Sequence, residues 1–214
     1  YILKEFHQKL ILPKRRHGQK QPYAGAIVFN PTEPGKHDNV TVMDYTSLYP
    51  TSIMAFNLSP ETFIASEKGC RQLGIDIEDV VKKLQDYGIK YVDTGKVESL
   101  FGKRYLFYSQ EHKLGLLPYV LKKLFLKRVE ITDGLTSGKY VGDERVAMQK
   151  RQWAYKIILN SAYGAMGFSQ FRLYKPEVAD AITYFARQAL KFAVLKFKEY
   201  GHKTLYGDTD SIFI

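Results

Sequence analysis

Two short strings, DYTSLYP at Asp44–Pro50 and YGDTDS at Tyr206–Ser211, constrain the fold of this chain more than any other feature. Each sets an aspartate where a strand is about to end, and Asp44 and Asp210 stand 166 residues apart. Brought together, such carboxylates make a socket for two hard cations, the minimum equipment for moving a nucleotidyl group at phosphorus. Magnesium takes an octahedron of oxygens and keeps several waters, so one or two aspartates plus substrate phosphates suffice. Asp44 and Asp210 are the predicted bridging pair, with Asp208 a third carboxylate of lesser or indirect role. A plainer reading stands beside this one: a strand-end aspartate often caps a helix or sits in a turn, and Asp44 taken alone reads that way. Two aspartates inside one Tyr-Gly-Asp-Thr-Asp hairpin read as ligands.

A third string lies between them, K-x-x-x-N-S-x-Y-G at Lys156–Gly164. Gln149, Gln152, Lys156, Asn160 and Tyr163 follow one another at spacings of 3, 4, 4 and 3, which aligns them as one stripe on a helix. Most polar stripes simply face water. This one ends in Tyr163 and Gly164, and a solvated face needs neither a ring nor a closely approachable backbone. Lysine offers a compact charge to a phosphate, and asparagine both donates and accepts. Gly164 lets a backbone or a base pair come near. Arg128, on a preceding helix, can add a fork of donors to the same triphosphate, although an arginine taken alone is more often a surface residue. In Ser47-Leu48-Tyr49-Pro50 the main-chain amides after the strand can cradle phosphate oxygens. Tyr49 would then pack against the sugar and exclude a 2′-hydroxyl by sterics. Ordinary packing is the competing account of that ring.

Composition narrows the partner. The net charge of +10 and the isoelectric point near 9.4 suit a polyanion, whose condensed counterions lysine and arginine displace. A basic protein kept soluble by repulsion has the same composition. The hydrophobic fraction of 45% and mean hydropathy of -0.29 exclude a disordered chain. No apolar run approaches the roughly 20 residues that span a bilayer, so no membrane partner is expected. Cys70 is the single cysteine, which forbids an internal disulfide and is compatible with a reducing compartment. The chain lacks an initiator methionine and stops on the apolar run Ser-Ile-Phe-Ile, as a piece of a longer polypeptide would.

Along the chain, Tyr1–Asn39 is basic and broken by Pro13, Gly18, Pro22, Pro31, Pro34 and Gly35, which predicts turns and short strands. Its run Pro13–His17 fits a nuclear-localisation signal, a phosphate-contacting loop or a solvated charge run. Val40–Tyr45 predicts a strand delivering Asp44 to a sheet edge, and Thr51–Asn57 a short helix. Glu61–His112 is the least legible stretch, with a short amphipathic helix over Ile75–Tyr87 and a strand over Tyr105–Tyr108. Leu117, Val120, Leu121 and Leu124 recur at helical spacing within Leu114–Gly138, leaving Lys122, Lys123, Lys127 and Arg128 largely off the stripe. A glycine-punctuated turn, Gly134–Gly142, leads to a second helix over about Asp143–Ala162, making a cation-rich αα-hairpin. Pro176 opens a third helix whose stripe is Val178, Ile182, Phe185, Ala189 and Phe192. Thr204–Ile214 predicts a β-hairpin with Gly207-Asp208-Thr209 near its tip.

In this order the three strings resemble family B (polymerase-alpha-like) DNA polymerases, with D-x-x-S-L-Y-P, K-x-x-x-N-S-x-Y-G and Y-G-D-T-D-S all intact. Tyr23-Ala-Gly-Ala-Ile-Val28 is similar to the family's Y-x-G-G segment that contacts the template strand, with Ala26 in place of the second glycine. Gly115-Leu-Leu-Pro118 with Arg128 is similar to the family's first fingers helix, although Val129 stands where many members have lysine. The resemblance implies an α+β right-hand fold: residues 1–60 as the first part of the palm, 61–112 as a palm insertion of unclear role, 113–165 as a helical-hairpin fingers subdomain, and 166–214 as the second part of the palm. The family's exonuclease and thumb are not visible in the chain. It further implies primer-template DNA and dNTP as partners, replication accessory proteins for the parent polymerase, and two Mg2+ ions that Mn2+ can replace. The implied metal site is Asp44, Tyr45, Asp208 and Asp210. Ser47, Leu48, Tyr49, Arg128, Lys156, Asn160 and Tyr163 are the implied nucleotide contacts, and Tyr23, Gly25 and Gly164 the DNA contacts. Fingers closing over a correct base pair would carry Lys156 and Arg128 onto the phosphates.

Two other function classes remain distinguishable. One is a non-catalytic nucleic-acid-binding module of polymerase shape. The other is a two-metal nuclease, which needs a further cluster of carboxylate or histidine ligands that the sequence does not offer. Viral, archaeal, bacterial and eukaryotic sources fit equally, so no compartment follows.

Overall fold

Among the described residues of this computed structural model, 22–95 and 104–214, the short strands gather into two antiparallel sheets. The run Pro13–His17 and most of the turn-rich opening lie outside them. The first sheet takes β1 (Val28–Phe29) and β2 (Val42–Asp44) from the start of the chain and β6 (Tyr206–Asp208) and β7 (Ser211–Phe213) from its end, in the order β1-β6-β7-β2. The second takes β3 (Phe63–Ser66), β4 (Tyr91–Asp93) and β5 (Tyr105–Tyr108), in the order β3-β5-β4. Together with the six helices of the described residues these sheets make an α+β fold, as the sequence predicts.

The stretch 61–112 holds the predicted strand over Tyr105–Tyr108 and a helix within the predicted Ile75–Tyr87, and adds two strands and a second short helix that the sequence does not announce. Its three strands carry two helices, α2 (Glu67–Gln72) and α3 (Ile77–Asp86), each capped at its N-terminus by a side chain: Ser66 accepts from the Gly69 amide and Asp76 from the Glu78 amide. Alternation along β5 explains how so small a sheet is held. Tyr105 and Phe107 point into the main core, while Leu106 points the other way into a satellite core with Cys70, Ile77, Val81 and Leu84. The Tyr105 hydroxyl donates to the buried Asp180 carboxylate at 2.7 Å, tying this sheet to the last long helix. Burial, with Asp180 beside it, pushes the Tyr105 hydroxyl far above its ordinary pKa, so it stays a donor at any physiological pH.

The main core is helical. It joins α1 (Leu48–Ala55), α4 (Leu116–Thr136), α5 (Gly142–Met166) and α6 (Pro176–Glu199). Leu117, Leu121 and Leu124 of α4 meet Leu159, Ala162 and Met166 of α5 and Val178, Ile182 and Phe185 of α6. The predicted α6 stripe holds as far as Phe185 and then departs. Leu190 is buried and Phe192 is 59% exposed, because the last turns of α6 run past the end of the core. The α4–α5 hairpin behaves similarly. Beyond Leu124 and before Leu159 most of its residues are exposed, so it stands out from the body. Gly134 is not in the turn but inside α4, where a Cβ would lie 2.4 Å from the Tyr140 ring that folds back across the hairpin end. Helix α1 begins at Leu48, earlier than predicted, with Pro50 in its first turn. Proline costs little there, since first-turn amides have no intrahelical acceptor.

Asn57 locks these pieces together. It sits at φ 56° just after α1, the left-handed position that ends many helices, and the Leu58 amide bonds back to the Ile53 carbonyl at 3.1 Å. Its buried amide donates to the Tyr108 and Lys113 carbonyls at 2.7 and 2.8 Å and accepts from the Gly115 amide at 2.7 Å. Asn57→Ala strands all three groups and strains the backbone, so unfolding free energy measured in urea is expected to fall by about 3–5 kcal/mol. Asn57→Gly should regain only the backbone part, about 1 kcal/mol. An Ala variant as stable as the parent would show that this junction holds nothing together.

Candidate active site

Strand β7 assembles the site. It pairs with β6 on one side and β2 on the other, with Ser211 opposite Asp208 in one pair and opposite Asp44 in the other. The ladder then continues one step past β2, the Tyr45 amide donating to the Asp210 carbonyl at 2.9 Å. The register brings the main chain of Asp44 next to that of Asp210, although most of the chain separates them, and Asp210 enters the same cleft as Asp44 from the hairpin turn, outside the regular alternation of β7. The Ser211 hydroxyl donates to Asp44 Oδ1 at 2.9 Å and fixes that carboxylate. The hairpin tip is Thr209-Asp210 rather than Gly207-Asp208-Thr209. Gly207 lies within β6, where the Phe29 ring packs over it, 2.9 Å from where a Cβ would be. Thr209 takes the positive φ of 56° instead.

The two carboxylates open onto a cleft of about 440 Å³ lined by Asp44–Pro50, Arg128, Lys156, Asn160, Tyr163 and Asp210. All the predicted nucleotide contacts are in that wall. Burial, then the Asp44 carboxylate, push the Asp210 carboxyl above its ordinary range; Asp208 adds to the push and the Lys156 ammonium opposes it. Asp208 itself does not line the cleft. It is exposed and accepts from the hydroxyls of Thr209 at 2.8 Å and Tyr206 at 3.4 Å. Tyr45 turns its side chain away, its hydroxyl donating to the Ala189 carbonyl at 3.1 Å, so it offers the cleft only main chain. Among the described residues no three His, Cys, Asp or Glu side chains form a group able to hold a metal. The candidate cation site is a carboxylate pair.

Opposite the pair are the cations. Lys156 holds its ammonium over the Trp153 ring, 5.2 Å from the centroid. Arg128 reaches across from α4, its Nη1 donating to Ser47 Oγ at 3.0 Å and its Nε to Gln152 Oε1 at 3.2 Å. Ser47 is the N-cap residue of α1 but, at a left-handed φ of 56°, makes no capping hydrogen bond with its side chain, whose oxygen accepts from Arg128. The first amides of α1 are thereby left facing the cleft without the usual side-chain acceptor, and an uncapped helix N-terminus attracts an anion.

The third wall is aromatic. Tyr49 and Tyr163 pack with ring centroids 4.5 Å apart, and Tyr23 meets the Tyr163 edge at 6.4 Å. Burial first, then the neighbouring Tyr23, keep the Tyr163 hydroxyl protonated far beyond neutral pH. Tyr23 is seated on Gly167, where a Cβ would collide with its hydroxyl. Gly25 and Gly164 are both exposed, with open space where a side chain would be. The sequence reading missed what holds the Tyr23–Gly25 segment. Thr183 of α6 donates to the Ala24 carbonyl at 2.7 Å, and Arg187 Nη1 donates to the Ala24 and Gly25 carbonyls at 3.1 and 2.6 Å. Their i, i+4 spacing marks one helix face, but in the sequence it lies beside a strong apolar stripe and draws no notice.

The site thus belongs to an α+β protein whose antiparallel sheet delivers two carboxylates into a cleft walled by cations, helix amides and tyrosines. The chain belongs to DNA polymerase family B, whose family profile it matches over residues 1–214. It is 29% identical over 205 residues to DNA polymerase 2 of Aeropyrum pernix, covering 95% of this chain and 22% of that one. With the DNA polymerase of Archaeoglobus fulgidus it shares 31% over 194 residues, covering 91% and 21%. The family B DNA polymerase structure from Pyrobaculum calidifontis superimposes with a TM-score of 0.67 at 31% identity, over 99% of this chain and 25% of that one. The chain therefore spans about a fifth of the length of the curated relatives it matches. Among the described residues no helix is long and apolar enough to cross a membrane.

Proposed function

We propose that this segment carries the nucleotidyl-transfer site of template-directed DNA synthesis. A primer 3′-hydroxyl attacks the α-phosphorus of an incoming dNTP, the phosphoanhydride bond to the β-phosphate breaks, and pyrophosphate leaves. The observation that carries this reading is the cleft that Asp44 and Asp210, from segments joined through β7, share with Arg128, Lys156 and the N-terminus of α1. In this assignment the sheet of β1, β2, β6 and β7 with α6 is the palm, the α4–α5 hairpin the fingers, and residues 61–112 a small domain inserted in the palm.

The donor set fits magnesium. Two adjacent hard carboxylates, one of them held against its own ionisation by burial and by the other, gain from a shared cation, and the coordination that remains suits water and phosphate oxygens. Asp44 and Asp210 would hold the ions, with Tyr45 main chain and Asp208 at the margin. When bound, Mg2+ (or Mn2+) supplies Lewis-acid activation of the attacking hydroxyl and charge stabilisation of the leaving group. The chain's own groups do the rest. Lys156 and Arg128 neutralise the triphosphate, and the Ser47–Leu48 main chain and Asn160 orient it. Tyr49 and Tyr163 shape the sugar and base-pair pocket, and the Tyr23–Gly25 segment with Gly164 meets the DNA. A protruding hairpin that carries both phosphate cations is suited to close on a correct pair.

Primer extension on a labelled primer–template, with and without magnesium, tests the proposal. Metal-dependent incorporation of deoxynucleotides is expected. Duplex binding with no incorporation by this chain or by a longer polymerase containing it would instead favour the non-catalytic module.

A further inference from the structure

Arg128 is held by two side chains from two other elements before any ligand arrives. Its Nε donates to Gln152 Oε1 of α5 at 3.2 Å, and its Nη1 donates to Ser47 Oγ at the start of α1 at 3.0 Å. One guanidinium thus spans α4, α5 and the loop that follows Asp44. Resting on the triphosphate reading above, we propose that Gln152 is a positioning residue for nucleotide binding: it anchors the Nε side of Arg128 so that the Nη edge faces the phosphates.

The chemistry of the pair favours this role. A guanidinium is planar, so one bond at Nε fixes where the remaining donors point. An arginine otherwise carries much rotamer freedom, which a phosphate would have to freeze on binding. The anchor is also a neutral amide. A carboxylate in its place would hold the guanidinium equally well but would cancel the charge meant for the triphosphate. Ser47 Oγ is a second neutral acceptor, one that an anionic phosphate oxygen can displace from Nη1. Gln152 does not itself line the cleft; it is half-buried on the helix face that carries Lys156, and its neighbours Arg151 and Trp153 are exposed, so its place is set by helix geometry and not by a packed core.

Gln152→Met keeps the side-chain length and removes the acceptor. Ordering one flexible side chain corresponds to a roughly 2- to 12-fold change in affinity. The Met variant is expected to raise the Kd and KM for dATP by that factor on a primer–template calling for it. Its kcat should stay within about twofold, and its primer–template affinity and thermal midpoint should not move. Gln152→Glu should also weaken dATP, by charge cancellation, and should do so less at high salt. In an Arg128→Ala background Gln152→Met should add nothing, since no guanidinium is left to orient. A Met effect of undiminished size in that background overturns the proposal, as does an unmoved dATP affinity in Gln152→Met where Arg128→Ala weakens binding. If Arg128→Ala itself leaves dATP binding intact, the triphosphate reading fails and this inference goes with it.

Discussion

Asp210→Asn is expected to abolish magnesium-dependent primer extension, by at least about 10³-fold, without lowering the stability of the chain. Asparagine keeps the size of the side chain and one oxygen but loses the charge that a divalent cation needs. The stability half of the prediction follows from electrostatics. Burial and then Asp44 raise the Asp210 carboxyl in the folded chain above its unfolded value. A raised carboxyl means the folded state binds that proton more tightly, so ionisation at neutral pH works against folding. Removing the charge should therefore leave the urea midpoint equal or slightly higher. Binding of Mn2+, followed by its paramagnetic resonance, gives a readout independent of turnover and should weaken in parallel. Extension at the parental rate, or Mn2+ bound as before, would reject Asp210 as a ligand.

Tyr49→Ala should open the site to ribonucleotides. The ring lines the cleft directly after the α1 N-terminus and packs on Tyr163, a placement in which it can close the sugar pocket from one side. A steric block against a single hydroxyl rejects the wrong substrate by a clash, not by weaker attraction. Taking that clash as about 3 kcal/mol, its loss lowers discrimination on the order of 10²-fold. The measurement is the ratio of kcat/KM for dATP to that for ATP. Tyr49→Phe keeps the ring and should retain the discrimination, which separates the gate from any role of the hydroxyl. Unchanged sugar selection in Tyr49→Ala would leave the ring with packing alone.

How much of this was legible beforehand differs from element to element. The long helices were, because α4 and α6 repeat their apolar residues every three or four positions. Pro176 at the first helical position marked the start of α6 directly. The cleft residues were legible as strings, since the chemistry of carboxylate pairs and phosphate-facing cations restricts residue type as well as spacing. The sheet of β3, β4 and β5 was legible only in β5, which the sequence places at Tyr105–Tyr108. β3 and β4 are four and three residues long, too short for a period to show. Arg187 and Thr183 were missed for another reason. Their partners are the main-chain carbonyls of Ala24 and Gly25, and a carbonyl leaves no mark in an amino-acid sequence.

What the sequence determined was an inventory: two acidic strings, a lysine helix, a second cation on the preceding helix, and tyrosines at intervals that put them on chosen faces. Spacing along a helix or strand is a local property, fixed by the backbone period, and can be read without coordinates. Only the tertiary structure decided that β7 lies between β6 and β2. That pairing brings the Asp44 strand against the hairpin whose turn carries Asp210 into the cleft, while Asp208 stays outside it and the Tyr45 hydroxyl reaches α6. It also showed that the Ser47 hydroxyl, which caps nothing, accepts from Arg128. Contacts between segments so distant in the chain depend on how whole elements pack, and no local period encodes them.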